Sequence, residues 1–214
     1  MFGDSIQKAL FLSAHSDDLE ISASGLAQRL IENGVNVVSA VFGDASISLR
    51  SGWAKDTLFH ENKKASELLG ITNTLFFKFP VRHFSEHRQE ILEQMIILNK
   101  QISPDLIITH SPNDLHQDHM VVGQEALRAF INSTVLGYSH RRNDDQFIPN
   151  MCVELSEQQL QKKIQVINCY KSQAHRNYTQ EKQVTANAVV AGMKHGFSAA
   201  ETFCIMRHVW RKPE

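Results

Sequence analysis

Short apolar runs alternate along this chain with longer segments in which apolar residues recur at helical spacing. The short runs predict strands over residues 8–14, 35–42, 73–79 and 105–109, and the longer segments predict helices over residues 19–33, 57–69, 86–101 and 117–130. Gly34, Gly70 and Pro80 each directly follow a predicted element, where such residues commonly end one. Four strands alternating with helices predict an α/β fold with a doubly wound, mostly parallel sheet flanked by helices on both faces.

The remainder of the chain is less regular. Residues 132–150 are mostly polar and predict a loop, and a short strand follows over 151–155. A helix is predicted over 156–170 because its start, SEQQ, fits a capping box. A further helix is predicted over 180–194, and the tail 202–210 predicts a strand at the edge of the sheet. Since no linker or repeat interrupts the pattern, all 214 residues are expected to form a single domain.

The charge balance argues against nucleic acid as a partner. Lys and Arg number 22 and Asp and Glu number 23, so the formal net charge of −1 offers no positive field to hold a polyanion. No apolar run reaches the roughly 20 residues that cross a bilayer. The first residues lack the charged and apolar regions of a secretory signal, so a cytoplasmic protein without membrane partners is expected. Three cysteines without CxxC spacing argue against disulfides and thiolate metal sites.

The first polar segment of interest is HSDDLE, residues 15–20, directly after the first predicted strand. The carboxyl ends of parallel strands form the edge of the sheet where ligands bind. Imidazole nitrogen and carboxylate oxygen are both zinc ligands, and a turn here can aim His15 and Asp18 at one ion, which leaves Asp17 uncoordinated. The structural alternative is that the two aspartates are favoured only by the dipole and N-cap of the following helix.

A second polar segment, HSPNDLHQDH at residues 110–119, follows the fourth predicted strand. The loops after the first and fourth strands of a doubly wound sheet can flank one crevice, so the two segments are expected to converge. Catalytic zinc needs three protein ligands and an open water position, which His15, Asp18 and one histidine of this segment supply. Two histidines and a carboxylate also suit Fe²⁺ or Co²⁺. The sequence therefore predicts one divalent metal site.

Both polar segments, and much of the chain between them, resemble the PIG-L (LmbE-like) family of zinc-dependent N-deacetylases. The resemblance extends to Phe42-Gly43-Asp44, to ENKKASELLG at residues 61–70, and to Ala200-Glu201, so it covers most of the chain. It implies a Rossmann-like fold and a hydrolase of linear amides that removes the N-acetyl group from an N-acetylglucosamine-type sugar or its conjugate. Family members often self-associate, so the resemblance also implies a homo-oligomer.

The resemblance implies a role for each residue of the site. The family's metal ligands match His15, Asp18 and His119, and its general base matches Asp17. The histidine that stabilises the oxyanion matches His116, and the orienting partner of that histidine matches Asp118.

The chain departs from the family pattern at two places. Ser16 replaces the usual proline, which frees a backbone angle but removes no ligand. Ser24-Gly25 replaces the usual pair of glycines, so the backbone there can approach its neighbours less closely.

Arg82 and Asp44 are candidates for substrate contact, because each lies near the carboxyl end of a predicted strand. Arg82 either faces a phosphate, carboxylate or sugar hydroxyl or is an ordinary surface residue. Asp44 either contacts or supports the site or stabilises a turn. Five histidines apart from both segments are expected to be solvated or hydrogen-bonded structural residues: His83, His87, His140, His175 and His195. The pair Arg141-Arg142 predicts a polar surface turn.

Two other functions stay open. One is a mononuclear metal hydrolase that acts on an ester or a non-sugar amide, and the other is a non-catalytic module that binds a sugar or nucleotide. The first strand-to-helix turn carries HSDDLE rather than GxGxxG, which argues against dinucleotide binding. Metal content separates an enzyme of this kind from a binding module, and the choice of substrate separates the two hydrolases.

Overall fold

The structure is a computed structural model and describes residues 6–140, 143 and 146–210, so the pair Arg141-Arg142 lies outside the described residues. Helices and strands follow one another in this order: β1 (Lys8–Ser13), α1 (Asp18–Glu32), β2 (Asn36–Asp44), α2 (Thr57–Leu69), β3 (Asn73–Pro80), α3 (Arg88–Ile102), β4 (Leu106–His110), α4 (Gln117–Ala129), β5 (Thr134–Tyr138), β6 (Met151–Glu154), α5 (Glu157–Ile167), α6 (Glu181–Met193) and β7 (Ala200–Arg207).

Within the described residues, seven strands form one sheet in the order β3-β2-β1-β4-β5-β7-β6. The first five strands pair in parallel, while β7 is antiparallel to both β5 and β6. The mostly parallel α/β fold predicted from the sequence is confirmed. After β3 the chain crosses to β4 on the other side of β1, so the strand order reverses between β1 and β4. A crevice opens at such a reversal, beyond the carboxyl ends of the two strands.

Two layers of helices cover the sheet because the central strand β1 is apolar on both faces. Ala9 and Phe11 belong to the core cluster that includes residues of α1, α2 and α5. Leu10 and Leu12 belong to the cluster that includes residues of α3 and α4. All four side chains are fully buried, and burial of each large one contributes about 1.5–3 kcal/mol. This packing holds the carboxyl end of β1 rigidly.

The helix ends follow the signals in the sequence. The side chain of Ser156 accepts a hydrogen bond from the backbone N–H of Gln159, and the Gln159 side chain accepts one from the Ser156 N–H, each at 3.1 Å. This confirms the predicted capping box of α5. Gly70 ends α2 with a left-handed φ of 87°, which suits glycine. No helix in the described part of the chain combines the length and apolarity needed to cross a membrane.

Two sequence predictions about the last strands were wrong. Residues 134–138 lie in a predicted loop but form β5, and all five residues of this strand are buried. Only Val135, Leu136 and Tyr138 of its five residues are apolar, because Thr134 and Gly137 interrupt the pattern, so the segment does not stand out from its polar surroundings. The tail strand was predicted at the edge of the sheet, but β7 lies between β5 and β6, and β6 forms that edge. Strand pairing, which local sequence does not encode, decided this order.

Candidate functional site

A cavity of about 970 Å³ lies at the carboxyl edge of the sheet, and residues from both polar segments line it. His15 follows β1, and Asp17 is the N-cap of α1, whose first residue is Asp18. His116 is the N-cap of α4, which places His119 in the first turn of that helix. The two predicted segments therefore meet at one site, where the strand order reverses.

The atoms of His15, Asp18 and His119 that could bind a metal lie close together. His15 Nδ1 is 3.0 Å from His119 Nε2 and 3.6 Å from Asp18 Oδ2, and His119 Nε2 is 3.6 Å from Asp18 Oδ1. Three ligand atoms at about 2.1 Å from a tetrahedral zinc ion would be about 3.4 Å apart. The two contacts of Asp18 use different oxygens of its carboxylate, so no single Asp18 oxygen lies at this spacing from both imidazoles. The donor types suit a divalent ion.

Two further histidines extend this cluster. Potential ligand atoms of His15, His116 and His119 lie within 4.8 Å of one another, and so do those of Asp18, His110 and His119. His110 is the last residue of β4 and is fully buried, with Nε2 3.0 Å from Asp18 Oδ2. His119 belongs to both groups, so it lies at the centre of the cluster.

Each imidazole of the predicted ligand set has a carboxylate partner on its other nitrogen. Asp114 Oδ2 lies 2.9 Å from His119 Nδ1, and Asp118 Oδ2 lies 3.1 Å from His15 Nε2. Such carboxylates orient a ligating histidine and increase its basicity. The side-chain carboxylate of Asp118 therefore contacts His15. Its backbone N–H instead donates a hydrogen bond to His116 Nδ1 at 3.2 Å.

Burial sets the protonation of two imidazoles in the cluster. It is the largest influence on the pKa of both His110 and His119, lowering the first to about 4 and holding the second well below its usual range. Both rings are neutral at neutral pH, which is the form that binds metals.

At His15 and Asp18, neighbouring charges outweigh the effect of burial on the pKa. Burial alone would lower the pKa of His15, but Asp18 and Asp118 outweigh it and raise that pKa to about 10. Without an ion His15 therefore carries a proton, which an ion bound at Nδ1 would displace. Burial would raise the pKa of Asp18, but His110, His119 and His15 outweigh it, so the pKa lies well below its usual range. Asp18 is therefore an anion that attracts positive charge.

Asp17 and His116 line the same cavity beside the cluster. Burial, followed by the charge of Asp18, raises the pKa of Asp17, and its side chain makes no hydrogen bond as an N-cap. Burial, followed by the charge of His15, lowers the pKa of His116. A carboxylate of raised pKa and a neutral imidazole suit proton transfer and hydrogen-bond donation, respectively.

The two candidates for substrate contact differ in position. Arg82 lines the cavity, where its guanidinium donates a hydrogen bond to Ser48 Oγ at 3.3 Å. Its backbone has a left-handed φ of 72°, and its N–H donates to Asp118 Oδ2 at 2.7 Å. Asp44 is not among the described residues that line the cavity. Its Oδ1 accepts the Ser46 N–H at 2.9 Å, as in the turn alternative.

One histidine expected to stand apart lies in the site. His140 Nε2 is 3.2 Å from Asp18 Oδ1, and its side chain lines the cavity. Its position was missed because β5 was predicted as loop, which hid the fact that His140 follows a strand at the carboxyl edge.

The other four histidines of that group contact different partners. His83 and His87 pair with glutamates at the surface, His175 lines the cavity and contacts the Ser172 carbonyl, and His195 stacks near Phe197. Asp114 lies in the second polar segment, yet spacing alone did not show that it faces His119.

The family comparison covers the part of the chain that builds most of this site. Residues 10–130 match the model of the PIG-L family, which is described as GlcNAc-PI de-N-acetylase. This span exceeds half of the 214 residues. The chain belongs to the PIG-L family. The predicted membership is confirmed, and the matched span includes both polar segments but ends before β5 and His140.

A curated relative and two solved structures are similar to this chain. The uncharacterized deacetylase YaiS of Escherichia coli strain K12 is 24% identical over 170 residues, which cover 76% of this chain and 90% of YaiS. The N,N'-diacetylchitobiose deacetylase of Pyrococcus horikoshii has a TM-score of 0.80 at 21% identity, over 94% of this chain and 84% of its own. The 4-carboxy-2-hydroxymuconate hydratase of Pseudomonas putida KT2440 has a TM-score of 0.76 at 18% identity, over 98% and 100%. Since a deacetylase and a hydratase share this PIG-L fold, the fold alone does not fix the reaction.

Proposed function

We propose that this PIG-L protein is a zinc-dependent N-deacetylase that removes the acetyl group from an N-acetylglucosamine-type amino sugar or its conjugate. The observation that carries the proposal is the convergence of His15, Asp18 and His119, which contact one another at 3.0–3.6 Å through imidazole nitrogens and both carboxylate oxygens, beside Asp17 on the cavity wall. Family membership supports the reaction class, and the similarity to a diacetylchitobiose deacetylase supports an amino-sugar substrate. Fe²⁺ and Co²⁺ suit the same ligands.

His15 and His119 would hold the ion through Nδ1 and Nε2, because their other nitrogens face Asp118 and Asp114. Asp18 would add a carboxylate oxygen and its negative charge. A divalent ion bound there would lower the pKa of a water molecule and polarise the acetyl carbonyl.

Asp17 would accept the proton of the attacking water. Its raised pKa brings it closer to neutral pH, so it can take up this proton and later release it. A carbon–oxygen bond forms at the acetyl carbon, the carbon–nitrogen bond breaks, and Asp17 returns the proton to the departing nitrogen. The products are acetate and a free amine.

His116 would stabilise the negative charge that develops on the acetyl oxygen. Its Nδ1 accepts the backbone N–H of Asp118, so the proton of the neutral ring sits on Nε2. This leaves an N–H donor of the kind that stabilises an oxyanion. Asp118 contributes through its backbone to His116 and through its carboxylate to His15.

The rest of the substrate would lie in the wider part of the cavity. Arg50, Arg82 and Arg176 contribute to its walls, together with polar residues that include Asn177 and Asn187. Guanidinium groups bind hydroxyl, carboxylate and phosphate oxygens. We propose that Arg82 contacts such a group on the sugar conjugate, whereas Asp44 supports the loop after β2.

The test measures acetate and free amine released from N-acetylglucosamine and N,N'-diacetylchitobiose by protein stripped with a chelator and then reloaded with zinc. We expect the two products in equal amounts, from the reloaded protein only, and none from a His119→Ala variant. Zinc-dependent cleavage of simple acetate esters, without amide cleavage, would instead indicate the other hydrolase. Failure of the protein to retain any divalent ion would indicate a binding module.

A further inference from the structure

His140 reaches the site from a strand that the family model does not cover. It stands two residues after β5, and 13% of its side chain is exposed to the cavity. β5 pairs with β4 so that Tyr138 lies beside His110, which brings the carboxyl end of β5 next to the second polar segment. The matched family region ends at residue 130, so no motif of that region includes His140.

The Asp18 carboxylate is held on both oxygens by groups from separate parts of the chain. Oδ1 lies 3.2 Å from His140 Nε2. Oδ2 accepts the backbone N–H of His15 at 2.7 Å and lies 3.0 Å from His110 Nε2. The 3.2 Å contact is an ion-pair distance and not a formed hydrogen bond, since His140 Nε2 is buried without a hydrogen-bond partner among the described residues. Because each carboxylate oxygen has two lone pairs, Oδ1 can keep this contact and still bind an ion.

The two imidazoles on Asp18 differ in what else they contact. His110 is fully buried, and its Nε2 also lies 3.1 Å from the Ala14 backbone N and 3.3 Å from the Tyr138 hydroxyl, so it holds several parts of the fold together. His140 lies on the cavity wall, where a smaller side chain would only enlarge the cavity. Substitution of His140 therefore tests the Asp18 contact with less disturbance of the core.

We propose that His140 is a positioning residue that fixes the Asp18 carboxylate in the orientation required for metal binding. Polar partners of a ligating side chain set its orientation, and loss of such a partner typically lowers metal affinity about 10- to 100-fold. The inference rests on the proposed function, because it assumes that Asp18 binds the ion. His140 acts through Asp18, and it contributes a contact from β5 to a site otherwise built by β1, α1, β4 and α4.

The experiment measures zinc affinity of the full chain by competition with a chromophoric chelator. We expect the dissociation constant of His140→Ala to rise about 10- to 100-fold. His140→Gln places an amide N–H donor at a similar reach and should restore affinity to within a few-fold of the original protein. His175→Ala is the matched control, since His175 lines the same cavity and contacts the Ser172 carbonyl, and its affinity should not change.

Acetate release at saturating zinc provides the second readout. A positioning role predicts that His140→Ala recovers most of its kcat once zinc is saturating. Unchanged zinc affinity in His140→Ala would overturn the inference, and so would a lost kcat in the fully loaded variant, which would place His140 on the substrate. If His140→Ala does not fold, His140→Phe, which keeps a ring of similar size without a polar atom, carries the test: a 10- to 100-fold loss of zinc affinity supports the role, and unchanged affinity contradicts it. Absence of zinc binding by the original protein would overturn the proposed function as well.

Discussion

At the scale of single residues, the site depends on which nitrogen of each histidine is engaged. His119 meets Asp114 through Nδ1 and His15 meets Asp118 through Nε2, so opposite nitrogens of the two rings face the cluster. The residue types of the two polar segments were sufficient to predict a metal site. The pairing of Asp118 with His15 could not be predicted, because the convergence of two segments does not determine which of their side chains face one another.

Asp17 offers the sharpest test at this scale. Asp17→Asn removes a proton acceptor without removing a proposed ligand. We therefore expect full zinc content and a reduction in kcat of about 100-fold or more. Zinc content by mass spectrometry and acetate release are the two measurements. Asp56→Asn is the control, since that carboxylate is 65% exposed and lies outside the cavity wall. Turnover near the original rate in a zinc-loaded Asp17→Asn protein would remove Asp17 from the role of base.

At the scale of helices and strands, close contact between α4 and the end of β4 sets the position of His119. A Cβ atom at Gly123 would lie 2.5 Å from the His110 backbone oxygen and 3.2 Å from the Pro112 nitrogen. Backbone atoms cannot move aside as a flexible side chain can, so this contact requires glycine. Helical periodicity predicted α4 from residue 117, but the closeness of the contact depends on the packing of the helix against the sheet.

Gly123→Ala should therefore destabilise the protein, although alanine is the better helix former by about 1 kcal/mol. We expect a net loss of about 1–3 kcal/mol from overpacking. Zinc affinity should fall as well, because α4 carries His119. Urea unfolding measures the first effect and chelator competition the second. Lys100→Ala, at an exposed position of α3, is the control and should change both little. Equal stability of Gly123→Ala and the original protein would show that α4 can shift without cost.

At the scale of the whole molecule, the strand order joins distant parts of the chain at one cavity. Reversal of the order between β1 and β4 brings residues 15–18 together with residues 110–119. A bound ion would link α1 and β1 to α4 and β4 and would stabilise the folded state alone. Metal binding is therefore expected to stabilise the fold as a whole.

Thermal unfolding tests this link. Zinc at about 100 times its dissociation constant would stabilise the fold by about 2.7 kcal/mol. For a chain of this size that corresponds to a rise in Tm of about 5–10 °C. Differential scanning calorimetry should show the rise, a chelator should reverse it, and His119→Ala should not show it. A Tm independent of zinc in the original protein would argue against a site that links the two halves of the sheet.

The sequence by itself determined the α/β architecture, the alternation of elements through α4, the family, and the two segments that meet at the cavity. These features depend on local periodicity and on the residue types at strand ends, and both can be read directly from the sequence. Only the tertiary structure decided that residues 134–138 form a strand, that β7 lies inside the sheet, and that His140 joins Asp18. Each of these depends on which strands pair and which distant side chains face one another, and the packing of the whole chain fixes both.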